Sequence, residues 1–233
     1  MSARPRPVRS LAAALLFGVL GACALPPSAA AAAKLPPPAL DAPRSAAHGE
    51  QVAVFAGGCF WGVQEVFNHV RGVRKTWAGY SGGSAATAHY DQVSDGGTGH
   101  AESVKLLFDP AQVSYGQLLQ VFFSVATDPT QLDRQGPDSG TQYRSVVFYA
   151  TPEQQRIADA YLAQLGKAGV YTAPIVTRVA PLQAFYPAEG WHQSSGRSLH
   201  RDQRRAQGAQ PQGPVSRLVL VGQPLSRAWA APG

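Results

Sequence analysis

Cys59 is the most chemically capable side chain in the folded part of this chain. It sits in the run Gly58-Cys59-Phe60-Trp61-Gly62, straight after a short apolar stretch, Val52-Ala53-Val54-Phe55-Ala56, and straight before a segment of helical spacing. An ordinary thiol has a pKa of roughly 8.5 and is only slightly ionised at neutral pH. A strand-to-helix turn gathers backbone N–H groups and the positive end of a helix dipole, and both favour an anion. In such settings thiol pKa values fall to about 3.5–7.5. A free cysteine is most often a small buried hydrophobe. This placement, with Phe60 and Trp61 as an apolar wall, instead leads to the expectation of a nucleophile with a lowered pKa.

A nucleophilic cysteine commonly uses a histidine as base, and His69, His89, His100 and His192 qualify by type alone. No cysteine-protease signature accompanies them. One cysteine and scattered histidines give no metal-ligand spacing, so no metal is expected.

The elements that must position Cys59 begin at Gln51. Residues 52–56 form a short buried strand. Residues 60–70 place Val63, Val66, Phe67 and Val70 at helical spacing. Residues 73–79 and 101–108 are predicted strands, the second closed by Asp109-Pro110. Ser114 is an N-cap for a helix through Leu118, Leu119 and Phe122. Residues 144–150 form another strand, and Thr151-Pro152-Glu153 opens a helix to about Lys167, with proline at its first position. Residues 174–179 are a last strand. Strands interleaved with helices, with one strand-to-strand step, fit an α/β (α+β) fold: a two-layer, ferredoxin-like sandwich. The Gly-rich polar stretches 81–99, 128–143 and 186–196 are long ordered loops of the kind that carry function.

Outside this region the 233-residue chain reads differently. Its formal charge of +6 is loaded at the ends, with Arg4, Arg6 and Arg9 near the start and Arg197, Arg201, Arg204 and Arg205 near the close. A nucleic-acid-binding domain needs a basic face within the fold, and none is visible. Residues 1–22 read as a signal peptide: arginines precede an apolar run, 11–20, too short to span a bilayer. Leu20-Gly21-Ala22-Cys23 resembles a bacterial lipobox, which makes Cys23 the expected lipidation site; the alanine run 29–33 is the rival cleavage site. Either cut implies an exported protein, periplasmic and, through Cys23, lipid-anchored. Residues 23–50, rich in Ala and Pro, are expected to be a tether that buries no core. Residues 51–195 form the domain, and 196–233 a divergent tail.

The motifs of that domain resemble peptide methionine sulfoxide reductase, class A. Gly58-Cys59-Phe60-Trp61-Gly62, Gly99-His100-Ala101-Glu102, Gly140-Thr141-Gln142-Tyr143-Arg144-Ser145, and Tyr186-Pro187-Ala188-Glu189 with His192-Gln193 occur in family order. One short motif is weak evidence; four in order are strong. The resemblance implies that Cys59 attacks the sulfur of methionine S-sulfoxide, free or in exported proteins, and that Glu102 supplies a proton to the leaving oxygen. It implies hydrogen bonds to that oxygen from Tyr90 and Tyr143, a pocket for the S-methyl group made by Phe60 and Trp61, and a polar role near the site for Asp138. It also implies a sulfenic acid on Cys59, no bound cofactor, and a thioredoxin-like protein or small thiol as external reductant. Nothing in the sequence asks for more than a monomer. His100 and His192 are expected to orient loops, and Trp77 and Tyr80 to be structural.

The chain departs from the family in several places. No cysteine follows Cys59, so no resolving disulfide can form within the domain. Thr127 stands where a histidine is common before Asp128-Pro129, and Gly190-Trp191 replaces an acidic-aromatic pair before His192. Beyond Gly196 the resemblance stops. A thiol peroxidase or redox sensor, and a non-catalytic tethered binding module, are the alternative readings.

Overall fold

A computed structural model of the chain describes residues 35–193. The signal peptide, Cys23 and the tail 196–233 lie outside the described residues. Strand β1 (Gln51–Gly57) leads into helix α1 (Phe60–Asn68) and strand β2 (Val73–Ser81). A short helix α2 (Tyr90–Ser94) precedes strand β3 (Ala101–Phe108). Helix α3 (Tyr115–Val121) continues into a π-helical turn, Phe122–Ala126. The pair β4 (Arg134–Gln135) and β5 (Asp138–Ser139) precedes β6 (Ser145–Tyr149), helix α4 (Pro152–Ala168), β7 (Arg178–Pro181) and β8 (Tyr186–Pro187).

The main sheet has the order β7-β6-β1-β3-β2-β8. Its four central strands, with α1 after β1 and a helical connection between β3 and β6, are the ferredoxin-like arrangement expected from the sequence. Side chains alternate across β1: Ala53 and Phe55 enter the core under the helices, while Val54 and Ala56 face the other side with Ala101, Val146 and Phe148. Phe55 anchors the larger core, its ring 5.5 Å from Phe67 and 5.0 Å from Phe122.

Local signals hold where they are strong. Ser114 accepts the Gln117 N–H, and the Gln117 side chain returns to the Ser114 N–H in a capping box. Thr151 caps α4 with Pro152 at its start, and left-handed Gly169 ends it. Helix α1 stops at Asn68 rather than 70, where the chain turns through Gly72 at φ +97°. The last strand, expected over 174–179, is shifted to Arg178–Pro181 and runs parallel to β6. The residues before it are held elsewhere: the Val176 N–H donates to the Pro129 carbonyl at 2.8 Å.

The expectation that residues 23–50 act throughout as a tether is corrected from residue 35 onward. Leu35 is buried. Proline-rich backbone offers acceptors but few donors, and side chains of the helices supply the donors. The Gln120 amide binds the Leu35 carbonyl, the Tyr161 hydroxyl that of Pro36, and the Gln164 amide that of Pro37, all within 2.8–2.9 Å. Asp41 accepts from the Ser114 hydroxyl and from the Gly116 N–H, the latter at 2.7 Å. His48 then meets Asp109, whose carboxylate also takes the Arg74 guanidinium at 2.8 Å. Composition alone hid this strap because, Leu35 apart, its hold is through backbone carbonyls and polar side chains such as Asp41 and His48, not large apolar side chains.

Ser114 thus joins the strap to the start of α3. Ser114→Ala should cost about 1–2 kcal/mol, read as a lower urea midpoint with an unchanged m-value. An unshifted midpoint would contradict the anchoring role.

Candidate active site

The antiparallel registers bring the ends of four strands together. Phe55 of β1 faces Val104 of β3, Gly57 faces Ser145 of β6, and Tyr80 of β2 faces Glu102. The C-terminal ends of β1 and β2 therefore meet the N-terminal starts of β3 and β6. Cys59 follows β1, Glu102 opens β3, and Tyr143 immediately precedes β6 by way of a 3-10 turn, Thr141–Tyr143.

The turn before Cys59 is built from glycines for steric reasons. Gly58 has φ +104°, and a Cβ there would lie 2.6 Å from the Gln135 side chain; a Cβ on Gly57 would lie 2.7 Å from the Phe122 ring. Gln135 closes over this turn, donating to the Thr127 hydroxyl at 2.8 Å and accepting the Asp128 N–H at 3.0 Å. Thr127 thus serves as a buried acceptor for Gln135. Gln135 in turn pairs with Asp138 across β4 and β5, which brings Asp138 toward Cys59, Glu102 and Tyr143 closely enough for its charge to act on each.

Glu102 is buried, and its Oε2 accepts the Phe60 N–H at 2.9 Å. Burial pushes its carboxyl up to about 7; the Phe60 hydrogen bond opposes this and Asp138 reinforces it. Cys59 sits at the N-cap of α1, where the neighbouring Trp61 and Gly62 N–H groups favour the thiolate. The expectation of a lowered thiol pKa is nevertheless overturned. Burial first, then the Glu102 charge, outweigh the helix N-terminus and push Cys59 up to about 11. In the resting site the thiol holds its proton and Glu102 is poised between its two states.

Tyr143 is pushed up to about 12 by burial, Glu102 and Asp138, and Tyr90 is raised by burial, Glu102 and Cys59. Both phenols stay protonated and can donate. Phe60 is buried, and Trp61 lies beside it at 6.1 Å between ring centres. His192 packs 4.9 Å from Phe60, 5.4 Å from Trp61 and 4.5 Å from Tyr90. Cys59, Phe60, Trp61, Tyr90, Glu102, Asp138 and Tyr143 are thus gathered at one end of the sheet.

The loops are stitched to each other by polar side chains. Arg144 donates to the carbonyls of Gly99, His100 and Thr141 at 2.7–2.9 Å, tying the second sequence motif to the third. Gln193 brackets Ala78, donating to its carbonyl at 2.8 Å and accepting its N–H at 3.1 Å, and so fixes the fourth motif to β2. His100 has the loop-orienting role expected of it: one ring nitrogen takes the Gly83 N–H at 3.3 Å and the other lies 2.9 Å from the Ser84 carbonyl. His69 is elsewhere, capping α1 against the Glu65 carbonyl.

Tyr80, expected to be structural, and Glu189, to which the motifs assign no role, meet beside the site. Tyr80 is buried against Phe60, with its ring centre 5.9 Å away, and its hydroxyl donates to Glu189 Oε2 at 3.0 Å. Their signal was present only in strand alternation and in the fourth motif. Trp77, on the opposite face of β2, lies beneath the amines of Lys75 and Lys105 and takes no part in the site.

A family model described as peptide methionine sulfoxide reductase matches residues 51–210. The chain belongs to this family. The match runs past Gly196, where resemblance was expected to stop. Among relatives of this family, the peptide methionine sulfoxide reductase MsrA 2 of Mesorhizobium japonicum is 59% identical over 148 residues, 64% of this chain and 76% of its own length. The MsrA of Methanosarcina acetivorans is 52% identical over 145 residues, 62% of this chain and 77% of its own. The structure of methionine sulfoxide reductase A of Corynebacterium diphtheriae superposes with a TM-score of 0.56 at 32% identity, over 73% of this chain and 82% of that one. Mxr1 of Saccharomyces cerevisiae in its reduced form gives 0.56 at 28% identity, over 72% and 96%.

The charge balance at Cys59 can be measured directly. The rate of alkylation by iodoacetamide should rise with pH well beyond the ordinary thiol range of about 8.5. Glu102→Gln, which removes a neighbouring negative charge, should move that rise to lower pH. A midpoint below the ordinary range in the unaltered protein would contradict the dominance of burial.

Proposed function

We propose that this chain reduces methionine S-sulfoxide, free or within proteins, to methionine, using Cys59 as nucleophile and Glu102 as general acid. The observation that carries the reading is the buried Glu102 carboxyl held by the N–H of Phe60, the residue next to Cys59. A carboxyl whose pKa lies near 7 can hold a proton at neutral pH and release it to a developing oxyanion. Family membership supplies the substrate class.

In the proposed step the substrate S-methyl group packs against Phe60 and Trp61. Glu102, Tyr90 and Tyr143 hydrogen-bond the sulfoxide oxygen, and Asp138 orients the remainder of the residue. Cys59 Sγ attacks the sulfoxide sulfur as the oxygen takes the Glu102 proton, and the thiol proton passes to the carboxylate left behind. Transfer of the oxygen to Cys59 releases methionine. The methionine sulfur gains two electrons and Cys59 loses two, ending as a sulfenic acid. Two equivalents of external thiol then return Cys59 to the thiol, giving one disulfide and one water. With no cysteine after Cys59, the resolving thiol comes from a thioredoxin-like protein or a small thiol.

The leader and the lipobox-like Cys23 support an exported, lipid-anchored protein that repairs oxidised proteins in the periplasm. The raised Cys59 pKa weighs against a peroxide sensor, since such sensors use low-pKa, accessible thiols.

Turnover of each sulfoxide epimer with dithiothreitol tests the reading. Cys59→Ser should abolish reduction of the S epimer, and Glu102→Gln should slow it by about 10²–10⁴-fold. The protonated carboxyl is the active form, so kcat/KM should fall as pH rises through about 7, and the Gln variant should lose that fall. Normal turnover by Cys59→Ser would sink the mechanism. Mass spectrometry after one equivalent of sulfoxide without reductant should find one oxygen added at Cys59; an intramolecular disulfide would refute external regeneration.

A further inference from the structure

Glu189 ties together parts of the site that come from different regions of the chain. Its Oε1 accepts the Tyr90 N–H at 2.9 Å, and its Oε2 accepts the Tyr80 hydroxyl at 3.0 Å. The same Oε2 lies 3.8 Å from His192 Nε2. One carboxylate therefore joins strand β2, the start of α2 and the turn that carries His192.

The Tyr90 contact is the informative one. Helix α2 has only five residues, and its N-cap residue, His89, makes no side-chain cap hydrogen bond. So short a helix has little stability of its own, and its leading N–H groups need acceptors from outside. Glu189, 99 residues away in sequence, supplies one of them. Since Tyr90 is the first residue of α2, fixing its N–H fixes the point from which its phenol projects. The other end of the short helix is held as well: the Gln142 amide donates to the Ser94 carbonyl at 2.9 Å.

The carboxyls of Glu189 and Glu102 are kept apart in role by their surroundings. Burial pushes Glu189 up, but the Tyr90 N–H, its own backbone, the Tyr80 hydroxyl and His192 together hold it below its ordinary range. At Glu102 the Phe60 N–H alone favours the charged form against burial. Glu189 is the permanently ionised member, a fixed acceptor rather than a proton carrier.

We infer that Glu189 is a positioning residue for sulfoxide reduction: through the Tyr90 N–H it sets the phenol of Tyr90 against the substrate oxygen. This rests on the functional reading above. Glu189 touches neither substrate nor Cys59 in this scheme and acts on the sulfoxide oxygen through Tyr90.

A double-mutant cycle on the mature protein tests it, using a peptide containing methionine S-sulfoxide and dithiothreitol. Glu189→Ala should lower kcat by about 10–100-fold, the scale of a misplaced catalytic group, with KM changed by less than about 3-fold. Glu189→Gln, whose carbonyl still accepts the Tyr90 N–H, should restore most of the rate. In a Tyr90→Phe background the Ala substitution should cost no more than about 2-fold, because coupled residues are not additive. If Glu189→Ala does not fold, Glu189→Met takes its place, matching the side-chain length without a strong acceptor. Wild-type kcat in a folded variant lacking the acceptor, or the same fold loss with and without the Tyr90 hydroxyl, would overturn the inference while leaving the reductase reading intact. Absence of sulfoxide turnover by the wild-type protein would overturn the reading itself, and this inference with it.

Discussion

The site depends on keeping a carboxyl and a thiol together in a place that tolerates little negative charge. Burial penalises the charged form of each, and Glu102 adds its own penalty to Cys59. The helix N-terminus works the other way but does not prevail. At neutral pH the Cys59 thiol therefore keeps its proton, while Glu102 is divided between its two forms. The Phe60 N–H, held by Glu102, fixes the acid against the turn that presents the thiol. The Glu102 carboxyl and the turn that carries Cys59 therefore share one point of attachment.

The sheet provides that reference point by ending four strands at one level. Beyond those ends α1 follows Cys59, and the intervening loops are ordered by side chains that serve backbone carbonyls and N–H groups. Arg144, Gln142 and Gln193 each span segments distant in sequence, and Gln135 holds the nearby Thr127–Asp128 turn. Buried or half-buried backbone polar groups must find partners, and here long polar side chains supply them where no regular ladder runs. This explains why polar, Gly-rich stretches can nevertheless hold Tyr90, Asp138 and Tyr143 at one end of the sheet.

What the sequence made legible was mostly local. Residues 101–108 declare a strand, Ser114 and Thr151 declare helix starts, and the Gly58–Gly62 run declares a turn with a thiol on it. The ferredoxin-like order followed from the alternation of these elements. The Cys59 charge state was not legible, because the dipole that lowers it is local while Glu102, which raises it, arrives from 43 positions away along the chain. Tyr80 reads as an ordinary core residue until its hydroxyl is seen on Glu189. Residues 174–177 have strand-forming side chains, yet a hydrogen bond to Pro129 keeps Val176 from the sheet.

The strap has a consequence for what counts as this domain. Family similarity begins at residue 51, but the packed body begins by Leu35, whose side chain is buried and whose neighbouring carbonyls satisfy Gln120, Tyr161 and Gln164. The segment that is inherited with the family and the segment that folds as one body have different first residues. A protein begun at Gln51 would keep Cys59, Glu102, Tyr90 and Tyr143 and yet uncover the helix surfaces that the strap covers. Ancestry and packing draw the boundary of this molecule in different places, and only the second is drawn by free energy.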